Sequence, residues 1–160
     1  MVSALGIFHD ANARNVTVLY SFEGLSDGGN STASLISDKK GNLYGTTVYG
    51  GQNQSAKCGE LGCGTVFRLG RDGTETAVYQ FAGGGDGRWP LAALIMGKDG
   101  DLYGTTYIGG GTGCDSHSGC GTVFKLSPSG TETVLYRFMG GADGGNHRDG
   151  GFDAGSDGGY

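Results

Sequence analysis

The sequence predicts an all-β protein made of tandem four-stranded antiparallel repeats, each resembling a β-propeller blade, so that the whole is a partial propeller. Three observations carry this. A unit of nearly sixty residues occurs twice, its short apolar stretches alternate with a period of two, and glycine-centred turns separate them. KKGNLYGTTVYGG at Lys39–Gly51 returns as KDGDLYGTTYIGG at Lys98–Gly110, so Tyr44 and Tyr103 stand 59 positions apart. CGTVFRL at Cys63–Leu69 returns as CGTVFKL at Cys120–Leu126, and GTETAVYQF at Gly73–Phe81 as GTETVLYRF at Gly130–Phe138, both at an offset of 57. A half-copy, NVTVLYSF at Asn15–Phe22, precedes the first full unit.

In the first unit the strands are expected near Ala33–Ser37, Asn42–Tyr49, Gly64–Leu69 and Thr74–Ala82, with the second unit following the offsets. Alternation in TVLYRF puts Val134, Tyr136 and Phe138 on one face, with Leu135 and Arg137 on the other. Lys40-Gly41-Asn42, Asp99-Gly100-Asp101, Arg71-Asp72-Gly73 and Pro128-Ser129-Gly130 carry hairpin-turn chemistry. Four antiparallel strands per unit match a propeller blade. A β-sandwich is the competing architecture, and the near-identical repetition argues for blades. The domain organisation expected is a partial leader over 1–15, a repeat domain over 16–144 with units near 23–82 and 83–139, and a Gly/Asp-rich tail over 145–160.

Glycine supplies 36 of 160 residues, yet it does not fall at every third position and there are only two prolines, which excludes a collagen helix. The net charge of −5, with no basic stripe, argues against nucleic acid as a partner. No apolar run approaches the ~18 residues of a membrane-spanning helix. Val2 to Phe8 is apolar and precedes Ala11-Asn12-Ala13, a small-x-small pattern, but the basic flank of a signal peptide is missing. This segment reads as the remnant of a preceding strand.

Together, GNLYGTT, CGTVFKL and GTETVLYRF resemble the GloVer-type tandem repeat of bacterial choice-of-anchor proteins over most of Val16 to Gly145. The resemblance implies a secreted or surface-attached repeat protein with arrays longer than two units. It brings no assigned catalytic residues, so none are carried over. The sorting or anchoring segment expected of such proteins is not recognisable after Gly145.

Cys58 with Cys63, and Cys114 with Cys120, occupy the same place in both units, just ahead of GTVF. They read as two local disulfides, each stapling a Gly-rich loop. Closing so short a loop removes unfolded-state entropy worth roughly 2 kcal/mol and fits an oxidising, extracytoplasmic compartment. A four-cysteine zinc site would need spacings nearer Cys-x-x-Cys, and His117 has no counterpart in the first unit.

Asp115-Ser116-His117 holds the residue types of a catalytic triad, but adjacency in sequence is not triad geometry. Asp27, Asp86 and Asp143 recur in the inter-unit loop, where a carboxylate either caps its own turn or contributes to a calcium site; the turn is the reading adopted. Glu75 and Glu132 read as exposed strand decoration. Tyr44 and Tyr103 belong to a YGTT ribbon whose Gly45 and Gly104 allow close packing. Trp89 has no aromatic counterpart, since Asn30 stands in its place. It could stack on a sugar ring or anchor the loop. Tyr44, Tyr103 and Trp89 are thus the candidate ligand contacts.

No catalytic residue and no cofactor are implied. The function expected is a non-catalytic extracytoplasmic scaffold or binding module for an unidentified protein or glycan. A carbohydrate-active propeller enzyme and a calcium-stabilised binding domain are the alternatives. Two blades cannot close a ring, so self-association is a further expectation.

After Asn146 no strand-like apolar run follows. A one-base change of frame there permits codons for Ala-Gly-Leu-Met-Pro-Asp-Arg-Met-Gly-Asp, which resembles Ala93–Asp101 and suggests a frameshifted or truncated reading frame. A calcium β-roll is a weaker reading of DGGFDAGSDGG, because its nonapeptide rhythm is not sustained. A tail so poor in apolar groups has little to offset its ordering entropy. Removing residues 145–160 is therefore expected to leave the melting temperature unchanged, as read by circular dichroism; a clear drop would show the tail to be docked.

Overall fold

The computed structural model describes residues 16–24, 26–51, 56–111, 114 and 119–144. The expectations for residues 1–15, for 145–160 and for Asp115, Ser116 and His117 lie outside them. The described chain forms two four-stranded antiparallel sheets, each a simple meander. The first holds β1 (Ile36–Ser37), β2 (Leu43–Thr47), β3 (Thr65–Leu69) and β4 (Glu75–Gln80). The second holds β5 (Ile95–Met96), β6 (Leu102–Thr106), β7 (Thr122–Leu126) and β8 (Glu132–Arg137), and a 3-10 turn follows at Gly141–Asp143.

The turns explain why the strands begin and end where they do. Between β1 and β2 the Asp38 carboxylate accepts from the backbone N–H of Lys40 and Asn42, both at 2.9 Å, and from the Asn42 side chain at 2.7 Å. Gly41 closes the turn at φ 81°, a value glycine adopts without strain. β1 and β5 are shorter than the sequence suggested. Gly29 pairs with Tyr49, whereas Ile36 pairs with Tyr44, and these two pairings are out of register with each other. The residues between them cannot continue the ladder. Arg88 with Ile108 and Ile95 with Tyr103 repeat the same offset in the second unit.

The outer strands correct a second expectation. Phe124 pairs with Val134 while Val123 pairs with Tyr136, so β8 carries one residue more than its partner at Leu135. Neighbours on β7 point to opposite faces, hence Val134 and Tyr136 do not share one, and the alternation expected through TVLYRF stops at the bulge. β4 bulges at the same place, with Phe67 opposite Ala77 and Val66 opposite Tyr79.

The core lies between the two sheets. Val66, Phe81, Leu94, Leu102, Phe124 and Leu126 form one buried cluster drawn from both units, with Ile36, Tyr44, Val78 and Tyr79 packed against it. At its centre Phe81, just past β4, meets Phe124 of β7 edge-on with ring centroids 5.2 Å apart. Both rings are fully buried, each a gain on the order of 2–3 kcal/mol over an exposed ring. Within each sheet a threonine pair ties the second strand to the third: Thr47 and Thr65 hydroxyls are 2.8 Å apart, as are those of Thr106 and Thr122.

Gly104 shows how tightly the second unit is packed. A Cβ built there would lie 2.7 Å from the Phe124 ring and 2.9 Å from Leu94. Gly104→Ala is expected to lower unfolding stability by about 1–3 kcal/mol through overpacking. Gly111→Ala, whose Cβ would meet nothing within 4 Å, is the control expected to change stability little. Urea titration of both variants checks the pair.

Candidate functional site

The repeated polar side chains gather where one unit meets the next. In the loop between the sheets, Asp86 accepts from the Tyr79 hydroxyl at 3.0 Å and from the backbone N–H of Ala82 at 2.7 Å and Gly84 at 3.1 Å. Asp27 holds Tyr20, Glu23 and Gly24 in the same way, at 2.9 to 3.0 Å. Asp143 accepts from Tyr136 and from the Met139 N–H, both at 3.0 Å. The three aspartates proposed as calcium candidates therefore aim their oxygens at N–H and O–H donors of their own loop, which is the geometry of a turn cap. Among the described residues, no group of three or more His, Cys, Asp and Glu side chains is placed to hold a metal ion.

The electrostatics follow from this wiring. Donating to Asp27 pushes the Tyr20 hydroxyl up to about 12. Tyr136 is raised by its bond to Asp143, and Tyr79 is raised chiefly by burial. Burial acts to raise the Asp27 carboxyl, but the hydrogen bonds it accepts outweigh this and hold it below the usual carboxylate range. Glu75 and Glu132 are half-buried, not exposed decoration as expected, and burial raises both carboxyls, with Asp27 and Asp86 adding like charge. A carboxyl raised on folding favours the native state while protonated and loses that effect as pH rises through its folded value.

Cys58–Cys63 and Cys114–Cys120 are both disulfide-bonded, with Cα atoms 4.8 and 5.3 Å apart. Each bridge lies against the glycine that follows an outer strand: a Cβ at Gly83 would come within 2.4 Å of the Cys63 sulfur, and one at Gly140 within 3.2 Å of Cys114. The staples therefore brace the inter-unit loop as well as their own.

Trp89 sits in this region with φ 59°. Its ring meets Tyr49 edge-on at 6.3 Å and stacks beside Tyr107 at 6.5 Å, and the Arg88 guanidinium lies over it at 4.8 Å. Its backbone N–H donates to the Cys63 carbonyl at 2.8 Å, and its own carbonyl accepts from Tyr107 at 3.1 Å. Trp89 thus bolts the second unit to the first. Tyr44 lines a pocket of about 110 Å³ between the sheets, opposite Leu102, Leu126 and Pro128. Tyr103, its counterpart, stands on the far face of the second sheet, so the structure does not bring the three candidate aromatics together.

The pairing of each outer-strand tyrosine with an aspartate seven residues on went unnoticed in the sequence, although Tyr20/Asp27, Tyr79/Asp86 and Tyr136/Asp143 all share that spacing. The aromatic chain is equally regular: Phe22 meets Phe67 at 4.9 Å just as Phe81 meets Phe124. Both regularities repeat with the unit, and a family model for such a unit matches residues 5–160. The chain belongs to the Gloeobacter/Verrucomicrobia repeat family. No curated protein matches it. Within this Gloeobacter/Verrucomicrobia repeat chain, repeated residues both tie the strands of a unit, as Thr47 and Thr65 do, and join one unit to the next, as Phe81 does.

Asp86→Ala would leave a tyrosine hydroxyl and two backbone N–H groups of the seam without their acceptor. The expected loss is about 1–3 kcal/mol, measured by thermal and urea unfolding. An unchanged midpoint would show that the turn does not hold the seam.

Proposed function

We propose that this chain is a non-catalytic, extracytoplasmic repeat scaffold or binding module whose partner is a protein or a glycan. The observation that carries the reading is where the recurring side chains go. Phe81, Asp86, Tyr79 and the disulfides hold one unit to the next or close its loops, and an array gains surface by adding such units. The two disulfides are compatible with an oxidising compartment. No helix among the described residues is long and apolar enough to cross a membrane. The carbohydrate-active and calcium-stabilised alternatives draw less support, because Asp27, Asp86 and Asp143 are already occupied by donors of their own loops.

Fractionation of the native host with an antibody to the chain tests the compartment, and thiol trapping before lysis tests the bridges. The expected result is recovery outside the cytoplasm with all four cysteines oxidised. Reduction of the purified protein should then cost roughly 2 kcal/mol per bridge. Recovery from the cytoplasm with free thiols would overturn the reading.

A further inference from the structure

The two sheets repeat each other in sequence but not in burial. On the face of the first sheet that meets the second, Ile36 is half-buried, Thr46 is 2% exposed and Val66 is fully covered. At the equivalent places on the second sheet Ile95 is 70% exposed, Thr105 is exposed and Val123 is half-buried. Phe138 is likewise half-buried where Phe81 is fully buried. The opposite face of the array shows the complementary gap: Leu94 is 4% exposed beneath the first sheet, whereas Leu35, its counterpart, is 46% exposed. The molecule therefore carries both halves of its own internal seam, one at each end.

The far side of the second sheet is hollowed into a pocket of about 320 Å³ lined by Thr105, Tyr107, Cys120 and Phe138 among others. The internal seam shows what fits such a hollow. In the first unit, Thr46 donates to the Ala92 carbonyl at 3.5 Å and the Cys63 carbonyl accepts from Trp89, so the segment leading into the second unit fills the place. The segment leading into the first unit, residues 29–35, has the same backbone course. Asn30 adopts φ 60° against 59° for Trp89, and its carbonyl accepts from Val48 as that of Trp89 accepts from Tyr107.

We propose that the hollow face of the second unit binds the leading face of the first unit in a second copy of this chain, head to tail. Asn30 would donate to the Cys120 carbonyl of its neighbour as Trp89 donates to Cys63, and Leu35 would be covered as Leu94 is. Residues 16–22 already rest where an outer strand of a preceding unit belongs, with Phe22 on Phe67 and Tyr20 on Asp27, yet they form no ladder. Docking replaces them with β8 of the other copy. The exchange keeps a phenylalanine on Phe67, because Val18, Leu19, Tyr20 and Phe22 correspond to Val134, Leu135, Tyr136 and Phe138; the Tyr20–Asp27 bond is given up, and Tyr136 keeps its own on Asp143. No ladder bonds of 16–22 are lost, and the hollow is newly filled. The tetrapeptide Asp-Gly-Gly-Asn occurs in the sequence at both 27–30 and 143–146. Such a contact joins unlike faces, so it builds rings or open chains of copies.

The inference rests on the scaffold reading, whose own test is compartment and bridges, so the two can fail separately. Sedimentation of the full chain across a concentration range is expected to show reversible association. Ile95→Lys, on the hollow face, and Leu35→Lys, on the leading face, should each weaken it by about tenfold or more. Mixed one to one, the two variants should form a heterodimer, because each retains the face the other lacks. Thr105→Arg replaces Ile95→Lys should that variant fail to melt cooperatively. A wild-type monomer at every concentration, single variants that associate like wild type, or a mixture that stays monomeric would each overturn the proposal. Association that appears only after residues 145–160 are removed would identify the tail as the occupant instead and overturn it equally.

Discussion

The structure depends on one contact, the closure of an outer-strand phenylalanine onto the third strand of the following unit. Phe81 on Phe124 is buried completely, and the leucines and valines around it are buried because those rings hold the sheets together. A four-stranded sheet alone has two faces and can hide neither. Its stability is therefore a property of the pair, and the connecting loop is as much a part of the core as the strands. This is why Asp86, Trp89 and the Cys58–Cys63 bridge, all outside the strands, converge on the same few ångströms of chain.

The repeat, the meander and the turn positions were legible because each rests on local chemistry: glycine at a left-handed turn, alternation along a strand, cysteines at matched positions. The bulges at Val78 and Leu135 were not, because an extra residue in one strand is visible only against its partner, and TAVYQF and TVLYRF alternate plausibly without one. Trp89 illustrates a different limit. Its sequence neighbourhood allows a sugar platform as well as an anchor; its place between Tyr49 and Tyr107 comes from residues 40 and 18 positions away along the chain.

Glu75 and Glu132 were misread for a related reason. A glutamate at the start of an outer strand looks solvated when the strand is considered alone. In the array it is half-buried and feels the like charge of Asp27 or Asp86. Burial here is set by the stacking of units, which the residues within one unit do not encode. The tyrosine–aspartate pairs lie between these extremes, since their spacing was present in the sequence three times.

The sameness of the seam residues bears on how such a gene can change. Because a phenylalanine recurs at 22, 81 and 138, and an aspartate at 27, 86 and 143, a unit gained or lost by unequal recombination leaves each remaining boundary with the same phenylalanine and aspartate, while Trp89 is unmatched. Selection can then alter the length of the array in a single step without first repairing its interior. The stretch between the second and third strands, where the two units differ in length, is closed by a disulfide in each, so a change in its length leaves the bridge where it braces the joint.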